Sequence, residues 1–421
     1  MKRGLIVLML FLMTEMDRLL LGEEPSFSGQ TPPKVVRPIT DAYDDAHRQF
    51  QCVSTLCVTD NQRIWASWYA GGMGEGEDNY VLLSTSHDGG LSWSKPLFAL
   101  DPEGPVRAFD EILWNDPNGR VWLFWGQHIM NQGGPTWQWE IHTDDPEKGE
   151  NAVWSEPRLL CEGVMLSKPI VDRKGRWLYP IQERRGAAVY VSNDNGQTVE
   201  FMSVGSAPPQ EIRGADEHNL VEKKDGSLWL YNRLGIPGIG ETFSTDGGKT
   251  WSEFQMTSIK HSVSRFFIRR LQSGNLLMVK HGEIDEYCAR SRLMAFLSED
   301  DGETWSQGLM IEPRFRCSYP DGDQAPDGTI YLTYDRNRGL EREIYCAKLT
   351  EEDILAGKLV SPQSQLNIII NKPTDEFHSW WEGAVRYPKE NGMPGEYWDT
   401  AKVLEVIPLI ERKEHPPIKN F

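Results

Sequence analysis

The 421-residue sequence predicts an all-β chain folded as a six-bladed β-propeller with Asp-box turns. Two repeats running in phase predict it, together with the absence of any long helical pattern. The first repeat is an eight-residue turn, Ser-x-Asp-x-Gly-x-Thr/Ser-Trp. It reads SHDGGLSW at 86–93, STDGGKTW at 244–251 and SEDDGETW at 298–305, and a fourth copy, SNDNGQTV at 192–199, has lost its tryptophan. The starts lie 106, 52 and 54 residues apart, a period near 53 with one copy degraded in the double-length gap. The aspartate accepts from N–H groups of its own hairpin, and the glycine supplies the positive φ that the turn needs. The closing tryptophan is placed to fill the space between neighbouring sheets.

The second repeat is a hairpin: an apolar strand, a turn at or near Asp-Gly, and a strand rich in aromatics. Six copies stand at 50–69, 111–125, 168–181, 218–232, 265–279 and 318–334. Each supplies the inner half of a small sheet, and a period of roughly 50 with four strands per unit means radial repetition. A large β-sandwich needs no regularly spaced, Trp-closed turn. In chain order, residues 1–24 read as a signal sequence, 25–45 as a Pro-rich lead-in and 46–360 as the propeller. Residues 361–421 carry no further turn copy and are expected to wrap back and close the ring. The leader reading rests on Lys2 and Arg3 ahead of ten apolar residues, Gly4 to Met13, too short to span a bilayer. It implies export to the periplasm or the exterior, although no clean small-x-small cleavage site follows.

Composition agrees with blades that pack only on their neighbours, which lets a single domain exceed the usual size of one core. Sixteen tryptophans suit inter-blade packing, and a net charge of −18 argues against nucleic acid and anionic membrane surfaces as partners. That field is screened over about 8 Å at physiological salt, so a local cationic pocket can still hold an anion. The six cysteines (52, 57, 161, 288, 317, 346) lack metal-ligand spacing, so neither a metal nor another cofactor is expected. Cys52 and Cys57 are expected on opposite faces of one strand.

In a propeller, the inner strands begin at one end of the central channel and the second strands finish there. Aligning the hairpins on the turn glycine places Asp110, Leu166, Glu217, Arg265 and Tyr319 nine residues before it in blades two to six, with Val53 in blade one. Seven residues after it stand Gly126, Gln182, Arg233, His281 and Asp335, with Tyr69 in blade one. Carboxylates, a tyrosine and arginines converging on one mouth make a candidate site. Glu111 and Lys168 are weaker candidates, and the turn aspartates are read as structural.

At these positions the chain resembles the exo-α-sialidases and their Asp-box relatives, over roughly residues 45–355 and most strongly in the last three blades. That family carries a Glu on one inner strand and an Arg at the end of the next strand, matched here by Glu217 and Arg233. A second arginine before a late Asp box is matched by Arg290, and a tyrosine opening the last blade before Pro-Asp-Gly by Tyr319. The resemblance implies a tyrosine nucleophile, with Glu217 as its base and the two arginines gripping a ligand carboxylate. The chemistry is coherent by itself. An anomeric carbon bearing its own carboxylate repels an Asp or Glu nucleophile, and the neutral phenol does not; sialidases are the known tyrosine exception among glycosidases. A free phenol costs roughly 4 kcal/mol to ionise at neutral pH, and a neighbouring base removes the proton during attack instead.

Two departures stand out. Sialidases open the first inner strand with aromatic-Arg-Ile-Pro, whereas this chain has Phe50-Gln51-Cys52-Val53, so Gln51 holds the place of a third carboxylate-binding arginine. Arg48 is expected on the opposite strand face, and Arg265 is the candidate to compensate. The expected acid in the loop after blade one's second strand is also displaced; that loop, GGMGEGEDN, offers Glu75, Glu77 and Asp78, and Glu75 is preferred. The function expected is a retaining exo-glycosidase acting on a terminal sialic acid or other acidic sugar. The alternatives are a non-catalytic propeller that binds carbohydrate or protein, and a lyase of uronate-containing glycans on the same scaffold. The sequence leaves the oligomeric state open.

Overall fold

The computed structural model describes residues 27–130 and 134–373. The expected leader over 1–24 and the C-terminal residues from 374 onward lie outside the described residues. Six antiparallel sheets follow one another along the chain, each meandering outward from an innermost strand. Blade one runs β2 (Phe50–Val58), β3 (Ile64–Gly71), β4 (Tyr80–Ser86) and β5 (Ala99–Asp101). The lead-in adds a fifth strand, β1 (Lys34–Val36), on its outer edge. Blade two is β6 (Val106–Asn115), β7 (Val121–Ile129), β8 (Trp137–Thr143) and β9 (Arg158–Glu162). In blade three the innermost strand is broken into β10 (Val164–Met165) and β11 (Ile170–Val171), followed by β12 (Trp177–Glu183), β13 (Gly186–Ser192) and β14 (Glu200–Val204).

Blade four is β15 (Arg213–Glu222), β16 (Leu228–Leu234), β17 (Ile239–Ser244) and β18 (Gln255–Met256). Blade five is β19 (Phe267–Arg270), β20 (Leu276–His281), β21 (Leu293–Ser298) and β22 (Leu309–Glu312). Blade six is β23 (Cys317–Gln324), β24 (Ile330–Arg336), β25 (Glu343–Leu349) and β26 (Gln365–Asn371). The last strand comes from beyond residue 361 and pairs with β25, after a short helix, α1 (Glu351–Ala356).

Apolar clusters fill the gaps between successive blades, one and two, two and three, three and four, four and five, and five and six. A further cluster packs Leu56, Ile64 and Trp68 of blade one against Tyr331, Ile344 and Ile368 of blade six, and this contact closes the ring. Trp93, Trp251 and Trp305 pack on three of these inter-blade clusters, as their position at the end of each turn requires. The degraded copy still folds as the others do. Thr198 donates through its N–H and hydroxyl to Asp194 at 2.9 and 2.6 Å, as Thr250 and Thr304 do to Asp246 and Asp300. Those bonds hold all three carboxyls well below the usual carboxylate range.

The turn glycine is irreplaceable where a ring abuts it. Gly302 has φ +93°, and an added Cβ would lie 2.4 Å from the Trp229 ring. Gly328 has nearly the same φ, +91°, with open space around it. Gly302→Ala is therefore expected to cost about 2–4 kcal/mol, from steric overlap plus left-handed strain. Gly328→Ala should cost only the strain, about 1–2 kcal/mol. Equal shifts of the two denaturation midpoints would refute the contribution of the Trp229 contact.

The feature that positions the site is a bulge at the same height in four innermost strands. The register slips between Cys52 and Thr55, Phe109 and Ile112, Arg213 and His218, and Ser318 and Asp321. In each slip one residue takes a left-handed backbone: Val53 (φ 52°), Asp110 (φ 49°), Asp216 (φ 49°) and Tyr319 (φ 48°). A β-bulge re-aims side chains that would otherwise alternate across the sheet. It also restores parity, so Cys52 and Cys57, five apart, belong to one core cluster rather than to opposite faces. All six cysteines are free thiols. Non-glycine residues held at positive φ cost of order 1 kcal/mol or more each, and such strain clusters at functional sites.

Candidate active site

Tyr319 lies at the centre of the mouth, 8% exposed. Four guanidinium carbons surround its ring, at 4.2 Å (Arg338), 4.7 Å (Arg265), 5.2 Å (Arg290) and 5.9 Å (Arg233) from the centroid. Nη1 of Arg233 donates to the Tyr319 hydroxyl at 3.2 Å and to Oε2 of Glu217 at 2.5 Å. Phenol and carboxylate share one donor, so their separation cannot exceed the sum of those contacts. Nη2 of Arg265 bridges Asp110 Oδ1 at 3.0 Å and Glu217 Oε1 at 3.4 Å. The structure thus brings Asp110, Glu217, Arg233, Arg265, Arg290 and Tyr319 together, from blades two, four, five and six.

Charge settings differ among the carboxyls. Burial opposes the charge on Glu217, but Arg233 and Arg265 prevail and hold it at about 2. Asp110 is raised by burial, with Glu217 and Glu75 adding to the rise against Arg265. Arg290 is partly buried; it donates to the Val263 carbonyl at 3.1 Å and has no carboxylate partner among the described residues. Burial lowers its pKa, and Arg338 and Arg233 push the same way. A partly buried cation without a counter-ion is unfavourable in the free protein and is set to receive an anion.

Glu75 sits in the loop between β3 and β4. Asn79 shapes this loop by donating to the Gly74 carbonyl at 3.0 Å and accepting from Gly76 N–H at 2.8 Å. The Glu75 side chain is half exposed, 3.7 Å from Arg107 Nη1 and 3.5 Å from Arg338 Nη1. Desolvation favours its neutral form, but Arg107, Arg338 and Arg290 outweigh that and hold the carboxyl below its usual range. Glu77 and Asp78 are exposed, and among the described residues neither forms an ion pair with the cluster.

Gln51 is not brought to the site. It is fully buried between blades one and six, where its Oε1 accepts from Arg48 and from Trp68 Nε1, both at 3.1 Å. Its Nε2 donates to Asn371 Oδ1 at 2.8 Å and to the Arg342 carbonyl. The bulge gives the channel-facing place to Val53, whose N–H donates to Asp335 Oδ2 at 2.9 Å. Lys168 is committed to Asp321 at 2.7 Å and to the Leu56 and Leu113 carbonyls, so it ties blade three to blades six, one and two. Glu111 is wholly buried with neither oxygen bonded among the described residues, and burial raises its pKa well above normal. It lines a small cavity beneath Tyr319 with Arg265 and Asp321. Burial, reinforced by Arg290, lowers His281 to about 3. Among the described residues no group of His, Cys, Asp and Glu is placed to hold a metal ion.

Over residues 62–332 the sequence matches the BNR repeat-like domain family. The chain belongs to that family. This BNR-family chain is 23% identical over 410 residues to a sialidase from Micromonospora viridifaciens, covering 82% of this chain and 61% of that protein. It therefore spans about three-fifths of that relative's length. Among solved structures it is similar to a sialidase from Streptococcus pneumoniae, with a TM-score of 0.59 at 13% identity, covering 77% of this chain and 71% of that one. An intramolecular trans-sialidase from Ruminococcus gnavus gives a TM-score of 0.58 at 15% identity, covering 77% of this chain and 99% of that one. At these identities the likeness shows a shared propeller. Two cations of this BNR-family site, Arg338 and Arg107, escape the sequence alignment. Arg338 follows the end of β24, outside the hairpin repeat, and Arg107 precedes the bulge of β6, stacked 4.2 Å over the Phe109 ring.

Proposed function

We propose that the protein is an exo-glycosidase that removes a terminal sialic acid from glycans with retention of configuration. The observation that carries this reading is the single Arg233 nitrogen shared by the Tyr319 hydroxyl and Glu217, inside a ring of guanidinium groups. The M. viridifaciens relative, a sialidase, supports it. The ligand carboxylate engages Arg233 and Arg290 through charge-assisted bonds. Tyr319 Oη attacks the anomeric carbon as Glu217 takes its proton, and Glu75 protonates the departing glycosidic oxygen. A water deprotonated by Glu75 then displaces the phenol, which regains its proton from Glu217, and the two inversions give net retention. At about 2, Glu217 is a weak base in the free protein. A carboxylate arriving on Arg233 divides that arginine's attraction and adds negative charge nearby, so the proton affinity of Glu217 rises in the complex.

A second reading, a propeller that binds acidic glycans without turnover, is favoured by one observation: arginines hold both Glu217 and Glu75 ionised before any ligand arrives. Incubation with a chromogenic α-sialoside, followed by proton NMR, separates the two. Release of sialic acid first appearing as the α-anomer is the expected result. Saturable binding with no release from sialosides or uronate-terminated glycans would establish the binding module, and an unsaturated uronate product would establish a lyase. A glycan substrate fits an exported protein, as the basic and apolar N-terminal segment suggests; N-terminal sequencing of secreted material tests that.

A further inference from the structure

The place that the resemblance assigns to a first-blade arginine lies beside a loop of another blade. Gln51 is buried elsewhere, but its backbone N–H donates to the carbonyl of Arg338 at 3.0 Å. The sixth-blade loop thus runs alongside the position that lacks a cation. One edge of the Arg338 guanidinium is tied down: Nε and Nη2 lie 3.2 Å from the two Asp335 oxygens, and Nη2 lies 3.2 Å from Ser318 Oγ. The other edge, Nη1, has among the described residues only Glu75, at 3.5 Å, beyond the length of a charge-assisted hydrogen bond. The same guanidinium lies 4.2 Å over the Tyr319 ring, nearer than the other three. A fork anchored on one side and loosely engaged on the other suits bidentate or bridging contact with a ligand carboxylate.

We propose that Arg338 supplies the third guanidinium of the carboxylate clamp, with Arg233 and Arg290, and that a bound carboxylate displaces Glu75 from it. This rests on the acidic-sugar reading above. Glu75 is faced by Arg107 of β6, by Arg338 and Arg290, by Tyr69 of β3, and by Cys52 and Asp110 nearby. Once the ligand occupies Arg338, Glu75 keeps Arg107 as its near cation and gains an anion beside it. It therefore takes up a proton on binding, which is the proton that the leaving group requires.

The test is calorimetry of a dehydrated sialic-acid analogue and its methyl ester, in weakly acidic buffers of different ionisation enthalpy. Wild type is expected to bind the acid in preference to the ester and to take up protons. Arg338→Gln is expected to bind the acid roughly ten- to a hundredfold more weakly, with the preference and the uptake reduced. Arg338→Lys keeps a charge beside Asp335 and guards against a folding artefact; it should keep the wild-type thermal midpoint and still lose affinity. Glu75→Gln should bind at least as tightly as wild type with the uptake diminished. Unchanged affinity in both Arg338 variants, or uptake undiminished in Glu75→Gln, overturns the proposal. If wild type ignores the sialic-acid analogue but binds a free uronic acid through Arg338, the sialic-acid reading falls and this inference stands. Binding of neither acid overturns both.

Discussion

Tyr319→Phe is expected to lower sialoside turnover on the order of 10³-fold or more, as loss of a nucleophile does elsewhere, while the protein stays folded and still binds its ligand. The variant keeps the ring, and with it the contacts of four guanidinium groups. It keeps the left-handed backbone at the bulge, since φ of 48° is a property of the strand and not of the hydroxyl. It removes one acceptor from Arg233 Nη1, and that nitrogen retains Glu217 at 2.5 Å. Loss of one such hydrogen bond costs about 1 kcal/mol, so the denaturation midpoint should move little. Affinity for a dehydrated sialic-acid analogue should stay within severalfold, because the carboxylate clamp is intact. Turnover within tenfold of wild type would remove the phenol from the mechanism. Lost turnover together with lost binding would mean that Tyr319 shapes the pocket and does not attack.

The hairpin repeat made much of this site legible. Counting nine residues back from the turn glycine, or from Gln62 in blade one where no glycine stands, reached Val53, Asp110, Glu217 and Tyr319, at or beside the four left-handed residues at 53, 110, 216 and 319. The count works because blades repeat the same hairpin length, so equal offsets mean equal heights along the channel. It fails wherever the repeat does not dictate the chain's path. The resemblance put Gln51 in the place of a ligand-facing arginine, but the bulge two residues later changes which side chain is presented, and Gln51 packs against Arg48, Trp68 and Asn371. Arg338 stands beyond the end of a strand, where neither period nor alternation applies. Only the fold shows that its loop lies against residue 51. The signal was present in a weaker form, since Arg336, Arg338 and Arg342 crowd the segment that follows the last matched hairpin. Glu75 was chosen on loop position alone, and its pairing with cations from blades two and six was not readable from GGMGEGEDN.

Glu217→Gln is expected to abolish turnover and to destabilise the fold, and the two losses can be told apart. Glu217 is 7% exposed and is the shared counter-ion of Arg233 and Arg265. Breaking a buried pair by removing one partner costs about 3–5 kcal/mol, because the other charge is left uncompensated. Linkage gives a similar figure: a carboxyl lowered from its model value of 4.5 to about 2 contributes about 3 kcal/mol when ionised. The sign follows from the direction of that shift. The contribution is fully present above the unfolded-state pKa and is lost as pH falls through the folded-state value. The gap in stability between wild type and Glu217→Gln should therefore be constant at neutral pH and narrow as the pH drops toward 2. A gap independent of pH down to that value would mean that Glu217 is not the stabilising charge. The double variant Glu217→Gln, Arg233→Gln removes both partners of the closest pair. Arg265 keeps Asp110 at 3.0 Å, so the double variant should recover stability relative to Glu217→Gln, since unpaired buried charge is what costs most. It should not recover turnover, because the base and a clamp arginine are both gone. Recovery of stability in the double variant assigns the destabilisation to unpaired charge, and lost turnover in folded Glu217→Gln, which keeps Arg233, assigns Glu217 a role in the chemistry.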